Sequence, residues 1–269
     1  MTVTAYGKGA TEAVDQAADE ISRLDQLLST GNEDSEIYKI NQSGDGILSE
    51  ETAYLVERSL DLYEATDGAF DIAIYPVMKV WGFTDDNFRV PDADELKDLL
   101  TLTDASDISY DKETSQIVFK KDGMQIDFGG IAKGYTSARI MDIFRACGIK
   151  SGLVNLGGNV QALGTKKDGS SWRVAVQDPQ DTDQYLGVLS IQDKAVITSG
   201  GYERYFEQDG RTYHHIIDPK TGYPVENGLI SVSIVTADGR LRTDFLHPFL
   251  LWGKKPQRNI GEITVMNLT

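Results

Sequence analysis

Cysteine is nearly absent from this chain of 269 residues, since Cys147 is the single one. One thiol excludes an internal disulfide framework and cannot by itself form a thiolate metal site. Long apolar runs are missing too, and none reaches the roughly 18 residues of a membrane-spanning helix. Basic residues are scarce, because 26 Lys and Arg stand against 42 Asp and Glu, a formal net charge of -16. Without a basic stripe, nucleic acid is excluded as a partner.

The rest of the composition is that of an ordinary globular protein. Hydrophobic residues make up 40% of the chain and charged residues 25%, which suits one large domain or two small ones. An acidic protein that binds phosphates needs local devices such as helix N-termini, a placed lysine or a divalent cation. The chain opens in the strand-like TVTAY with no visible signal sequence. That abrupt start suggests that a leader has been removed.

Four helices are predicted. Apolar residues recur at intervals of three and four over residues 9–28, which is typical of an amphipathic helix. Ser49 is a good N-cap for a second helix. Asp92 and Glu95 have the spacing of a capping box at the start of a third helix, PDADELKDLL. The fourth is predicted over residues 131–147.

Short strands account for most of the remaining chain. DISYD, QIVFK and MQIDF are predicted strands, and Asp122-Gly123 is a hairpin turn between the last two. Further strands are predicted in SGLVNLGGNVQALG, SWRVAVQD, YLGVLSIQ, AVITSGG, RYFEQDGRTYHHIID and LISVSIVTADG. Hairpins combined with a few long helices indicate an α+β fold of antiparallel sheets with packed helices, and not a doubly wound parallel sheet.

The stretch IDFGGIAKGYTSARI, residues 126–140, places an acid, two glycines and a lysine at the start of the fourth helix. Asp127 ends the preceding strand, and Gly129 and Gly130 allow a ligand to approach the backbone closely. Lys133 lies in the first helical turn, where the helix dipole is already positive, so an anion such as a phosphate is favoured there. The alternative is a tight turn with a solvated lysine.

Two other stretches each have two interpretations. TDGAFDIAIYPVMKVWGF, residues 66–83, crowds aromatic side chains around Asp71. It is either a packed core strand or an aromatic-walled slot for a flat heterocycle, with a carboxylate at its rim. The glycine-rich VNLGGNVQALG, residues 154–164, is either a strand with a bulge or the floor under a ligand.

Two of the three histidines, His214 and His215, are neighbours in YHHIIDPKTGYPV. Adjacent strand residues face opposite sides, so at most one of the two faces a given pocket. A lone histidine is more often structural than catalytic. Here TSGGYERYF precedes the pair and a rigid turn at Asp218-Pro219 follows it, which favours a side chain placed for use.

In this order, SEIYKIN, TDGAFDIAIYPV, IDFGGIAKGY, LVNLGGNV, TSGGYERYF and HHIIDPKTGYPV closely resemble the ApbE-like family, the FAD:protein FMN transferases. The resemblance runs from about Thr2 to Gly239. It implies a single T-fold-like α+β domain over residues 1–240 that binds FAD and Mg²⁺. It also implies cleavage of the FAD pyrophosphate and transfer of FMN to a threonine or serine hydroxyl of a target flavoprotein.

The resemblance also assigns roles to particular residues. His215 matches the histidine that is proposed in the family to activate the acceptor hydroxyl. The backbone carbonyl of Gly130 matches a magnesium ligand. Contacts with FAD fall on the following residues: Ala69, Phe70, Asp71, Asp127, Lys133 and Ile217.

Two further functions would use the same residues. One is a magnesium-dependent FAD pyrophosphatase that releases FMN and AMP, and the other is a non-catalytic FAD-binding protein. For the transferase, the expected partner is an acceptor flavoprotein domain with a Thr/Ser flavinylation motif. Many family members are secreted or lipid-anchored, so the resemblance implies an extracytoplasmic protein that is lipid-anchored to the cytoplasmic membrane.

Residues 241–269 differ in character from the rest of the chain. From Arg242 onward there are four Lys or Arg and two Asp or Glu, although the whole chain is strongly acidic. The family carries an Ala-Asp-x-x-Ser-Thr segment here, whose Asp and Thr are magnesium ligands. A one-nucleotide shift of reading frame permits ADGLSTPFLIMGK from Leu241 onward, whereas Thr243 and Asp244 do not reproduce the ligand pattern. We therefore expect an out-of-frame tail that lacks the remaining magnesium ligands.

Overall fold

The computed structural model describes residues 1–181, 183–237 and 264–268. These residues form helices and antiparallel strand pairs, which confirms the predicted α+β class. Within them, no helix combines the length and the apolar character needed to cross a membrane. The tail predicted to be out of frame lies outside the described residues, apart from one strand at its end.

The described α-helices are α1 Ala10–Leu28, α2 Glu36–Ser43, α3 Glu50–Ala65, α4 Tyr75–Val80, α5 Ala93–Leu100 and α6 Ala132–Ala146. Short 3-10 helices cover Ile72–Ile74, Ala105–Asp107 and Gly201–Glu203. The strands are β1 Thr2–Tyr6, β2 Asp45–Ile47, β3 Ile108–Asp111, β4 Gln116–Phe119, β5 Ser151–Leu156, β6 Asn159–Gly164, β7 Trp172–Gln177, β8 Tyr185–Ile191, β9 Ala195–Gly200, β10 Tyr205–Gln208, β11 Arg211–His214, β12 Ser231–Thr236 and β13 Thr264–Leu268. The four predicted helices are confirmed to within a residue or two.

The chain divides into two compact units. The first unit comprises Met1–Leu24, Ala132–Gly200 and the described residues from Gly228 onward, and the second comprises Asp25–Ile131 and Gly201–Asn227. A single domain over residues 1–240 stays a prediction.

An antiparallel sheet with the order β1-β5-β6-β9-β12-β13 is the frame of the first unit. Helices α1 and α6 supply its main core, in which Ala17 and Phe144 pack with Val154 and no residue of the three is measurably exposed. A second cluster forms around Trp172 and Val174 of the β7–β8 hairpin. Alternation along β7 buries every second residue, as expected for a strand with one face on the core.

The second unit contains the three-stranded sheet β2-β4-β3 and the hairpin β10–β11. One apolar core cluster of this unit combines buried side chains of α4 and α5 with Trp81 and Phe83 after α4 and Ile217 after β11. A packed core strand was one interpretation of residues 66–83, and it is wrong. The structure has a 3-10 helix, Ile72–Ile74, followed by α4. Pro76 in the first turn of α4 explains the difference, because proline suits that position and cannot donate in a strand ladder.

The predicted strand MQIDF is wrong, because residues 124–128 belong to no sheet. The turn at Asp122-Gly123 exists, with Gly123 at a positive φ of 87°, but no partner strand follows it. Instead, the side-chain amide of Asn41 bonds both backbone groups of Ile126, at 2.8 and 2.9 Å. A side chain can satisfy a buried backbone as well as a ladder does, and sequence periodicity does not show this.

Two of the predicted helix caps use their side chains differently. Ser49 is the N-cap of α3, but its hydroxyl donates to Glu36 and makes no capping bond. Asp92 is the N-cap of α5 and its side chain makes no capping bond either. Glu95 forms a two-pronged ion pair with Arg89 at 2.6 and 2.8 Å. The Asp92 half of the predicted capping box is therefore wrong.

Candidate active site

Asp127 lies in the extended segment that leads into α6. Its backbone N–H donates to the Ile72 carbonyl at 3.0 Å, which ties this segment to the 3-10 helix that follows Asp71. Its Oδ1 accepts the Gly129 N–H at 2.7 Å. A Cβ on Gly129 would lie 2.8 Å from that same oxygen, so a larger residue here would have to displace the Asp127 carboxylate. A tight glycine turn therefore follows Asp127, and whether this turn holds a phosphate stays a prediction.

Opposing effects act on the pKa of the Asp127 carboxyl. Burial raises the pKa of its carboxyl above the usual range, while the Gly129 N–H and the positive charge of Arg204 oppose that shift. The residue as a whole keeps some exposed surface. A carboxyl with a raised pKa that remains reachable is typical of functional sites.

Lys133 belongs to the first unit and lies in the first turn of α6, as predicted. Its ammonium donates to the Gly157 carbonyl at 3.3 Å, and the side chain is exposed. Gly157 and Gly158 form the tight turn between β5 and β6, with φ of 58° and 83°. Two stretches singled out in the sequence, those around Lys133 and around this glycine turn, therefore meet within one unit. One carbonyl offsets part of the lysine charge, and an anion remains a suitable additional partner.

The GAFD segment is held by its neighbours. Thr66, which is 1% exposed, accepts the Phe70 N–H through its hydroxyl at 3.0 Å, and its carbonyl accepts the Ala69 N–H at 3.2 Å. Phe70 itself is 5% exposed. For the aromatic side chains of this stretch, the core interpretation fits better than an open slot, because Trp81 and Phe83 are also buried in the apolar cluster.

Asp71 uses its carboxylate inside the protein. One oxygen accepts the Ala73 N–H at 2.8 Å and the other accepts the Ala105 N–H at 3.3 Å. Burial is the main cause that raises the pKa of Asp71 to about 6, with a smaller contribution from the charge of Asp104, against the two N–H bonds. Asp71 therefore holds the 3-10 helix whose Ile72 carbonyl receives Asp127. A direct contact between Asp71 and FAD stays a prediction.

The two adjacent histidines face different partners, as predicted for neighbours at the end of a strand. His214 donates from Nε2 to the Val225 carbonyl at 3.1 Å, and its Nδ1 accepts the Ile216 N–H at 3.3 Å. Both nitrogens are thus occupied by the backbone. Burial lowers the pKa of His214 below its usual value. His214 is therefore a structural, neutral histidine.

His215 is arranged for a different use. Its Nδ1 lies 3.1 Å from the Arg204 carbonyl, and its ring meets the Phe83 ring edge to face at 6.4 Å between centroids. A carbonyl only accepts, so Nδ1 of the neutral ring carries the proton and the lone pair lies on Nε2. This is the tautomer in which Nε2 acts as a base.

Ile217 follows on the buried side. It is 7% exposed, packs in the apolar cluster with Trp81, and pairs with Pro224 through an isolated antiparallel bridge. The turn between them closes on Asp218, whose carbonyl accepts the Thr221 and Gly222 N–H groups. The predicted rigid turn is confirmed. The role of Ile217 in flavin contact stays a prediction.

Gly130 is the predicted magnesium ligand that lies among the described residues. They contain no group of three or more His, Cys, Asp or Glu side chains that could hold a metal ion. The Gly130 carbonyl lies in the turn before α6 and is a hard oxygen of the kind that Mg²⁺ prefers. The family's other ligands fall after Leu241, where this sequence is expected to lack them, and residues 241–263 lie outside the described part.

The pKa of His214 leads to a testable prediction about stability. Because the fold favours neutral His214, the unfolded chain binds a proton more readily, and stability is lost as pH falls below about 6.5. We expect His214→Asn to lack this contribution. The difference in urea midpoint between parent and variant should therefore shrink from pH 7.5 to pH 5.5. Parallel pH profiles for the two proteins would show that His214 does not titrate as described.

Within the second unit, the structure thus connects Asp127, the segment after Asp71, Arg204 and His215. Arg204 and Asn41 are the residues that sequence reasoning missed. The signal for Arg204 was weak: a basic residue in the glycine-containing TSGGYERYF of an otherwise acidic chain. Asn41 ends the motif SEIYKIN, but the sequence does not show its role, because its partner Ile126 lies 85 residues away.

A buried carboxyl, an arginine and an oriented imidazole on rigid turns are typical of an enzyme active site. The chain belongs to the ApbE family, whose family model matches residues 1–255. A relative from Klebsiella pneumoniae (strain 342), named FAD:protein FMN transferase, is 36% identical over 222 residues, which cover 81% of this chain and 68% of that protein. Another of the same name from Treponema pallidum (strain Nichols) is 37% identical over 253 residues, covering 86% of this chain and 70% of the relative.

Solved structures agree with this assignment. The ApbE protein of Thermotoga maritima superposes with a TM-score of 0.86 at 32% identity, over 94% of this chain and 82% of that one. The flavin transferase ApbE of Vibrio cholerae gives the same TM-score, 0.86, at 25% identity, over 98% of this chain and 88% of the other. The family predicted from the motifs is confirmed, and the chain is an enzyme of the flavin transferase type.

Proposed function

We propose that this protein transfers FMN from FAD to a threonine or serine hydroxyl of a target flavoprotein, in a magnesium-dependent reaction. The observation that carries the proposal is the orientation of His215, whose Nδ1 is bonded to the Arg204 carbonyl. The chain belongs to a family whose relatives are named FAD:protein FMN transferase, and this supports FAD as the proposed substrate. The acceptor is a flavoprotein domain with a Thr/Ser flavinylation motif.

His215 supplies the base of the proposed reaction. Its Nε2 lone pair takes the proton of the acceptor hydroxyl as the oxygen attacks the phosphorus on the FMN side of the FAD pyrophosphate. A new P–O bond to the acceptor forms, the P–O bond to the AMP phosphate breaks, and its electron pair leaves with AMP. The proton held by the imidazole then neutralises the AMP leaving group or passes to water.

The opening of α6 is suited to the charge of the pyrophosphate. Lys133 and the backbone N–H groups at the start of the helix attract anionic oxygens, and the turn at Gly129 lets them approach. Asp127 is proposed to contact FAD as well. When bound, Mg²⁺ polarises the pyrophosphate, and the Gly130 carbonyl is the ligand proposed for it among the described residues.

The identity of residues 241–269 decides whether the chain carries the remaining magnesium ligands of the family. We propose that residues 241–269 are out of frame, so that Thr243 and Asp244 do not replace the expected ligands. Intact-mass measurement combined with an activity assay decides this. A mass that matches the sequence, together with full magnesium-dependent activity, would contradict the proposal. A matching mass with weak activity, or a different mass with full activity, would support it.

Three finer features are proposed on family grounds. The overall fold is T-fold-like, the protein works outside the cytoplasm, and the natural protein is lipid-anchored to the cytoplasmic membrane. The antiparallel sheets with packed helices support the first of these.

One incubation separates the proposed transferase from its alternatives. The protein is mixed with FAD and Mg²⁺, with and without an acceptor domain that carries a Thr/Ser flavinylation motif. Covalent flavin on the acceptor, detected by in-gel fluorescence and mass, supports the transferase. Release of FMN and AMP without acceptor, and no labelling with it, supports a pyrophosphatase. Bound flavin without any product supports a binding protein.

If the start of α6 binds the FAD phosphates, substitutions there should weaken FAD binding. Replacing Asp127 with Ala is expected to weaken FAD binding by about 1–3 kcal/mol, the usual effect of losing a charge-assisted partner. Lys133→Ala should weaken it as well, and Lys194→Ala, at an exposed position of the first unit, serves as the control for loss of positive charge. Titration with FAD measures the affinities. Equal affinity for the Asp127 and Lys133 variants and the parent would leave the tight-turn interpretation standing.

A further inference from the structure

Arg204 lies between the 3-10 helix Gly201–Glu203 and β10. Its carbonyl oxygen is 3.1 Å from the backbone nitrogen of His215 and 3.1 Å from Nδ1 of the same residue. One acceptor therefore receives both the main chain and the ring of His215. Because each bond restricts a different set of dihedral angles, the two together fix both the position and the orientation of the imidazole.

The side chain of Arg204 ties that carbonyl to the core. Its Nη1 donates to the Phe83 carbonyl at 2.8 Å, a charge-assisted bond. Phe83 is 1% exposed, and its ring packs against Phe206 at 5.8 Å as well as against His215. The His215 ring is thus held between the Phe83 ring and the Arg204 carbonyl. The Arg204 guanidinium in turn bonds the main chain of Phe83.

We infer that Arg204 is a positioning residue for the transfer reaction: its side chain anchors the carbonyl that keeps His215 in the Nδ1–H tautomer. The inference rests on the proposed function for its kinetic meaning. The orientation itself is independent of activity. A general base in the wrong tautomer presents a proton where it needs a lone pair, so loss of the anchor lowers the rate of the chemical step.

Arg204 has a second, separable effect. Its positive charge acts on the carboxyl of Asp127 and opposes the rise in pKa that burial causes there. A substitution that removes the charge therefore disturbs the FAD site, whereas one that keeps the charge but loses the planar guanidinium disturbs chiefly the anchor. Arg204→Met removes both charge and donors and keeps the apolar stem. Arg204→Lys keeps the charge.

The first test needs no turnover. Nitrogen NMR of the imidazole rings distinguishes tautomers directly, and three histidines make the spectrum simple to assign with His215→Ala. We expect the Nδ1–H form of His215 to dominate in the parent at pH 8 and a mixture of tautomers in both Arg204 variants. His214, held by Val225 and Ile216, should keep its signals. Unchanged His215 signals in a folded variant would overturn the inference.

The second test is kinetic. Arg204→Met is expected to lower kcat of transfer about 10- to 100-fold, since a well-placed base contributes roughly 10²–10⁴-fold, and to raise KM for FAD. Arg204→Lys should lower kcat with little change in KM. In a His215→Ala background at saturating FAD, neither substitution should lower the residual kcat further, because the residue through which Arg204 affects the chemical step is gone.

The outcomes of the two tests are distinct. A full additional loss in the His215→Ala background would mean a merely structural role and would overturn the inference. If Arg204→Met does not fold, Arg204→Lys carries both tests. If the parent shows no transfer at all, the proposed function fails, and the NMR test still decides whether Arg204 orients His215.

Discussion

His215→Ala is expected to lower the rate of FMN transfer by about 10²–10⁴-fold, the usual contribution of a positioned general base. The lone pair that would accept the hydroxyl proton lies on the ring that this substitution removes. FAD binding should stay close to that of the parent, because the base acts on the acceptor and not on the bound nucleotide. The measurement is the rate of covalent flavin appearance on an acceptor domain at saturating FAD, alongside an FAD titration.

The neighbouring chain offers a matched control. Thr212 is exposed on the same strand, β11, opposite Glu207 of β10, and Thr212→Ala should leave transfer and stability nearly unchanged. His215→Asn is a second comparison, since its amide can still bond the Arg204 carbonyl but offers no imidazole lone pair. It should be as slow as the alanine variant. Normal transfer by either His215 variant would remove His215 from the mechanism.

Trp81→Ala is expected to lower the free energy of unfolding by about 3–5 kcal/mol, the range for removing a large aromatic side chain from a core. Trp81 has no exposed surface and lies in the apolar cluster of the second unit. Its ring contacts four aromatic neighbours, namely Phe83, Phe206, Tyr213 and Tyr223. Its Nε1 donates to the Gly222 carbonyl at 2.8 Å, which holds the turn after His215 and Ile217. Denaturant unfolding monitored by circular dichroism measures the loss.

Trp81→Phe separates the two contributions of this side chain. It keeps an aromatic ring but leaves the Gly222 carbonyl without its donor, for which about 1–3 kcal/mol is expected. Since the turn is then less well held, transfer should slow in Trp81→Phe more than in a control such as Tyr54→Phe, on the exposed side of α3. A loss below about 1 kcal/mol for Trp81→Ala would show that the aromatic cluster is not the core of this unit.

Local chemistry was readable from the sequence alone. The spacing of apolar residues placed α1, because a 3.6-residue period needs no knowledge of partners. The glycines after Asp127 and in NLGG marked tight turns, since positive φ or close approach excludes other residues. The order of the motifs identified the ApbE family, and the family model confirms it. Adjacent placement of His214 and His215 already required that they face different sides.

Only the tertiary structure decided how these pieces are used. Whether residues 124–128 pair as a strand depended on Asn41, which is far away in the chain and takes up the backbone groups of Ile126. The choice between the two histidines also depended on distant partners. His214 is occupied by Ile216 and Val225, whereas His215 is oriented by Arg204. Hydrogen bonds and packing across such separations depend on where the chain returns in space, and periodicity within a short window contains no information about that return.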